Sequence, residues 1–101
     1  MLATLVKVLR ATQDTNAALP GGTYILGCSI KNGTLTATAS IKLHDAATVT
    51  GNPVLEVGAN LADSTTFDEY NSLILPYPVK FETGVSIDMT GTNSIGYVYY
   101  I

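Results

Sequence analysis

Residues Thr23 to Asp45 read TYILGCSIKNGTLTATASIKLHD, and the alternation inside this stretch decides the fold class. In its second half Leu35, Ala37, Ala39, Ile41 and Leu43 share one parity, while Thr34, Thr36, Thr38, Ser40, Lys42 and His44 share the other. Successive side chains of a strand point to opposite faces, so one face is apolar and the other wet. Helical spacing would scatter the same apolar residues around a cylinder, and the Thr and Ile content adds β-propensity. The first half alternates less cleanly. Tyr24, Leu26, Cys28 and Ile30 share a parity, but Ile25 sits on the other with Gly27 and Ser29, so this strand is expected to be covered on both sides. Between the halves, Asn32-Gly33 is a strong hairpin signal, because both residues tolerate the positive φ of a type I′ turn. The expectation is therefore a hairpin, with both strands neighbours in one antiparallel sheet.

The rest of the chain extends that reading. Ala3 to Arg10 reads as a first strand with apolar residues on both parities. Gln13 to Asn16 and Leu19-Pro20-Gly21-Gly22 read as turn material, the two glycines supplying positive φ. Val54 to Val57 is a short strand after the Gly51-Asn52-Pro53 turn. Asp63 to Asn71, DSTTFDEYN, reads as a strand or irregular loop, with a single helical turn capped by Asp63 or Ser64 as the alternative, an acidic and solvated segment that Phe67 and Tyr70 could dock. Pro76 and Pro78 lack amide donors, which confines Leu75 to Pro78 to an edge or an entry corner. Val79 to Phe81 begins a strand, Thr83-Gly84 turns or bulges it, and Val85, Ile87 and Met89 alternate with Ser86, Asp88 and Thr90. Gly91-Thr92-Asn93 closes another hairpin. The last strand, Ser94 to Ile101, puts Ile95, Tyr97, Tyr99 and Ile101 on one face and Gly96, Val98 and Tyr100 on the other. About seven or eight short strands, with turn signals every ~8–12 residues, make an all-β fold, an antiparallel β-sandwich or jelly roll. The 101 residues form a single domain, 1–101.

Composition narrows the function. Charged residues are 13% of the chain and the net charge is −3, so hydroxyls rather than charges keep the surface wet. The five basic residues, Lys7, Arg10, Lys31, Lys42 and Lys80, are scattered along the sequence, without the clustering that phosphate neutralisation requires; no nucleic-acid partner is expected. Cys28 is alone, on the parity of Leu26 and Ile30, and reads as a small buried hydrophobe. His44 is the single histidine; it continues the wet parity of its strand and reads as a strand-end residue beside Asp45, where a turn begins. No GxSxG context supplies a nucleophile. Asp63, Asp68 and Glu69 lack the central glycine of a calcium loop, and no phosphate-binding glycine pattern occurs. The chain is expected not to be an enzyme, with no catalytic, cofactor-binding or metal site. The tyrosines remain. Tyr97, Tyr99 and Tyr100, with Phe67 and Tyr70, are candidate interface residues, since a flat apolar ring with a polar tip suits protein contacts. Packing inside the domain and ligand stacking are the other readings of the same rings.

The N-terminus, MLATLVKVLRAT, places its Lys and Arg after the apolar residues and has no long apolar run. Neither a signal peptide nor a membrane span is expected, and the reading is synthesis in a host cytoplasm. Two stretches carry a family resemblance: GGTYILGCSIKNGTLTATASIKLHD and VKFETGVSIDMTGTNSIGYVYYI. The first resembles the half of small tailed-phage and prophage structural proteins in which small residues, an aromatic and a Gly lead into a hairpin and a short acidic corner. The second resembles their closing half, from a Val-x-Phe-x-Thr-Gly start to a Thr-Gly-Thr turn and a terminal Tyr-Tyr. The chain departs from that pattern in Ala59 to Tyr77, which is longer and more acidic. The resemblance implies a virion component, a capsid decoration or cement protein that sits on the capsid surface, often as a trimer, with the major capsid protein as partner. A tail-associated or receptor-binding β module that recognises cell-surface carbohydrate is the alternative.

Overall fold

A computed structural model describes residues 5–34, 36–60 and 70–101. Eight strands occur among them: β1 (Lys7–Ala11), β2 (Thr15–Pro20), β3 (Thr23–Lys31), β4 (Ala39–Asp45), β5 (Leu55–Ala59), β6 (Tyr70–Phe81), β7 (Gly84–Thr90) and β8 (Ile95–Tyr100). They form two antiparallel four-stranded sheets, ordered β1-β8-β3-β6 and β2-β7-β4-β5. The ladders pair β1 with β8, β2 with β7, β3 with β6 and β4 with β5. The chain is thus one long hairpin whose tip is the β4–β5 connection, rolled until β8 also meets β3 and β7 also meets β4. This is the strand order of an eight-stranded jelly roll, a form of β-sandwich.

Rolling the ribbon buries one face of each sheet against the other. Ile25, Cys28, Ile30, Phe81 and Val98 come from the first sheet, and Ile41, Leu43, Val57, Val85 and Ile87 from the second. Each fully buried aliphatic or aromatic side chain contributes about 1.5–3 kcal/mol. The uneven alternation of β3 has a local cause. The register of β3 shifts between Ile25 and Gly27 against both of its neighbours. Thr23 and Ile25 point inward before this bulge, Cys28 and Ile30 after it, so the inward parity changes from odd to even.

The Asn32-Gly33 hairpin does not form. β3 and β4 lie in different sheets, neither Asn32 nor Gly33 has a positive φ, and the strand begins at Ala39 rather than Thr34; Leu35 lies outside the described residues. The Asn32 side chain explains the difference. It is buried, its Nδ2 donates to the carbonyls of Ala37 (2.6 Å) and Asn60 (2.9 Å), and its Oδ1 accepts from the Thr34 amide at 3.1 Å. Asn32 therefore organises a crossing between sheets, not a tight turn within one. Gly91-Thr92-Asn93 is likewise a crossing, since β7 and β8 belong to different sheets. The expected turn from Gln13 to Gly22 contains β2, with the corner reduced to Gly21-Gly22, of which Gly22 alone has a positive φ (91°). The first strand is Lys7–Ala11, and Ala3 and Thr4 of its expected span lie outside the described residues. The proline segment does lie at an edge, because β6 is the outermost strand of its sheet. Pro76 and Pro78 help keep that edge from pairing further.

Asp45, at the end of β4, ties the two layers together. The amides of Glu82, Thr83 and Gly84, in and after the β6–β7 crossing, donate to its carboxylate at 3.1, 2.8 and 3.3 Å. Burial works to raise the Asp45 carboxyl, but the amides of Thr83, Glu82 and Gly84 outweigh it and hold the group below its ordinary value.

Two substitutions test these connections by denaturant unfolding. In a type I′ hairpin Asn32→Gly would be nearly neutral; the observed crossing makes it cost about 2 kcal/mol or more, since it strips partners from buried backbone groups. Asp45→Ala is expected to cost about 1–2 kcal/mol at neutral pH. The folded-state value of Asp45 is depressed, so its contribution is fully present above the unfolded-state value of about 3.9 and fades as pH falls through the folded one. The gap between wild type and Asp45→Ala should therefore stay flat at neutral pH and close only in strong acid.

Candidate functional site

All six tyrosines, Tyr24, Tyr70, Tyr77, Tyr97, Tyr99 and Tyr100, lie on strands of the first sheet. The register sorts them between its faces. Val98, opposite Cys28 and Leu9, points inward, so Tyr97 and Tyr99 point out. Tyr97 stands opposite Arg10 and Ser29, and Tyr99 opposite Val8 and Gly27. On the other side of β3, Tyr70 pairs with Lys31 and Ile74 with Gly27. The outer face thus gathers Val8, Arg10, Tyr97, Tyr99, Lys31, Tyr70 and Ile74 across all four strands of the sheet. Beyond the β3 bulge, Tyr24 pairs with Lys80 and continues the face.

Tyr99 crosses this face. Its phenol is 2.9 Å from Ser29 Oγ on β3 and comes near the Tyr70 phenol on β6. A ring anchored on β8 reaches those partners only by lying across β3, and this accounts for the complete burial of Ser29 on an outward-facing position. Gly27 leaves the strand beneath bare. A Cβ there would collide with the Leu73 carbonyl and approach Ile74 Cδ1 to 3.0 Å, so the close approach of β3 and β6 requires glycine. The bond with Ser29 favours the Tyr99 phenolate, but burial, the Tyr70 phenol and the neighbouring Tyr97 outweigh it and raise its ionisation above the ordinary phenol value.

Around the rings the face is apolar. Ile74 is 62% exposed, Val8 56%, Val6 55%, Tyr70 48% and Tyr24 42%, a concentration that ordinary surface scatter does not produce. Tyr100 does not share it: opposite Ile25 and Lys7, it packs against the core. Phe67 lies outside the described residues, as do Asp63, Asp68 and Glu69. The fold also gathers charge that the sequence disperses. Lys7, Arg10, Lys31 and Lys80 all lie on strands of the first sheet, and those strands contain no Asp or Glu. Lys42 is the basic residue of the second sheet, whose strands carry Asp45, Glu56 and Asp88. Lys80 is paired with Glu82 in the following turn, at 3.7 Å.

The second sheet holds a polar cluster that the parity reading did not anticipate. His44 is buried rather than a wet strand end. Its Nδ1 lies 3.1 Å from the Thr50 carbonyl, in the loop after β4, which assigns the proton to that nitrogen. Nε2 lies 3.5 Å from Asp88 Oδ2 without a hydrogen bond. Ser86 is the cross-strand partner of His44, so a serine, a histidine and an aspartate lie in one patch. Their connections are not those of a catalytic triad. The buried Ser86 hydroxyl donates to the Ala46 carbonyl at 2.7 Å and accepts from the Ala17 amide at 3.0 Å, while the imidazole nitrogens face Thr50 and Asp88. Ser86 anchors a bulge in β2 where Ala17 takes a left-handed conformation, φ 48°. Cys28 is fully buried and its thiol is pushed up to about 11, which keeps it protonated and inert. No pocket opens and no three metal-ligating side chains converge among the described residues.

No family model, no curated protein and no solved structure matches this chain.

The phenol bridge is open to direct measurement. Tyr99→Phe leaves the buried Ser29 hydroxyl unpartnered and should lower stability by about 1 kcal/mol. In an ultraviolet pH titration the same substitution should remove a tyrosine component that ionises later than an ordinary phenol.

Proposed function

We propose that the chain is a non-enzymatic structural protein of a phage virion, which docks the outer face of its first sheet on the capsid shell and stabilises that shell by adding contacts across neighbouring subunits. The observation that carries this reading is the face itself: aromatic and aliphatic, free of acidic side chains on its strands, and braced by the hydrogen bond between Tyr99 and Ser29. Preformed surfaces rich in Tyr and Arg suit protein partners, because little conformational entropy remains to be lost on binding. The jelly-roll architecture supports it by analogy, being used in viral shell and lectin domains alike. The resemblance of residues 21–45 and 79–101 to small phage structural proteins selects the shell, and makes the major capsid protein the partner and a trimer the assembled state.

A carbohydrate-binding tail module is the second reading, favoured by the Tyr99 ring lying across the sheet as a stacking platform. One experiment separates the two. Capsid shells assembled without the protein should bind it stoichiometrically in co-sedimentation and then withstand a higher temperature. Val8→Asp and Ile74→Asp, both exposed, should lose that binding with the free protein's thermal unfolding unchanged. Failure to bind shells, together with binding to host-cell glycans, would overturn the capsid reading in favour of the second.

A further inference from the structure

We propose that the surface received by the first sheet is an acidic protein surface, and that docking is heterologous rather than between two copies of this face. This rests on the outer face of β1-β8-β3-β6 being the docking surface. The whole chain carries a net charge of −3, yet the strands of this sheet carry four basic residues and no acidic one. Arg10 and Lys31 project from the outer face itself, beside Tyr97 and Tyr70, and both are exposed. Lys7 stands at the β1 edge, while Lys80 is partly neutralised by Glu82 at 3.7 Å. Fold, not composition, produces this polarisation.

Charge decides among the occupants. Two copies packed face to face would bring each Arg10 and Lys31 against its counterparts, and like charges across an interface are costly. A protein surface bearing Asp and Glu satisfies them, steers the encounter, and leaves Tyr97, Tyr99 and Tyr70 to supply the central contact. A single-stranded nucleic acid would also use stacked tyrosines and cations. Beside those cations the same face carries Val8 and Ile74, both more than half exposed. Aliphatic side chains there match a protein surface and offer nothing to phosphates. The few cations also give little counterion release.

The test uses the intact chain, isotopically labelled, and needs no shell. Poly-L-glutamate at low salt should shift the amides of β1, β8 and β3 and the Tyr97 and Tyr70 rings, and leave β5 and the Lys42 side of the second sheet unmoved. Arg10→Glu and Lys31→Glu, both on exposed positions, should each weaken that binding about fivefold, while Glu56→Lys on the second sheet should not weaken it. An oligothymidylate of equal charge should bind more weakly than the glutamate polymer. Tighter binding of the oligothymidylate would overturn the proposal in favour of nucleic acid. Shifts spread evenly over both sheets, no shifts at all, or equal binding by the reversed variants would overturn it outright. Each of those results is independent of whether shells bind, so a failed acidic-partner inference is distinguishable from a failed capsid reading.

Discussion

A two-stranded ribbon in water has no buried face, and isolated hairpins are marginal for that reason. The ladders between β3 and β8 and between β4 and β7 are what the rest of this structure depends on, because they convert a long ribbon into two layers. Only after they form can Ile25, Ile30 and Val98 meet Ile41, Leu43 and Ile87. The cost is kinetic: β1 pairs with β8 across nearly the full length of the chain, and contacts this distant must wait for loop closure. Local fixtures reduce that cost. Asn32 and Asp45 each hold a crossing between the layers with a single side chain.

The same rolling creates two dissimilar outer faces. The second sheet shows small hydroxyls and compensated charge, such as Ser40 bonded to Thr90 at 2.7 Å and Lys42 beside Glu56 at 3.9 Å. Its polar groups are largely spent on each other and on the loops that cover His44 and Ser86. The first sheet shows rings, aliphatics and cations with few partners among the described residues. The bulge after Ile25 contributes directly, since without that change of parity Ile25 and Cys28 could not both face the core while Tyr24 faces out. A surface so divided suits attachment on one side and solvent on the other.

The chemistry that the second sheet suggests is disarmed by its wiring. Ser86, His44 and Asp88 have the residue types of a hydrolase triad, but the hydroxyl is committed to backbone groups and no bond links it to the imidazole. Buried polar groups acquire such partners because leaving them without costs more than the bonds themselves contribute. Here that requirement stabilises a β2 bulge and the loop at the hairpin tip.

Period-two alternation in Ala39–Asp45, Val85–Met89 and Ser94–Ile101 was sufficient for the all-β class and for setting Tyr97 and Tyr99 on the face opposite Val98, because the parity of a strand is a property of its own residues; which of the two faces turns outward was decided by packing. The edge position of Pro76 and Pro78 was equally local, following from a missing amide. Pairing partners were not legible: Asn32-Gly33 and Gly91-Thr92-Asn93 have the chemistry of hairpin turns, yet each spans the two layers. What a turn residue bonds to depends on which strands have already come together, and Asn32 is satisfied by Ala37 and Asn60 only in the folded layers. The burial of His44 and the gathering of Lys7, Arg10, Lys31 and Lys80 have the same origin. Covering by a distant loop, and proximity between residues far apart in the chain, are set by long-range packing alone.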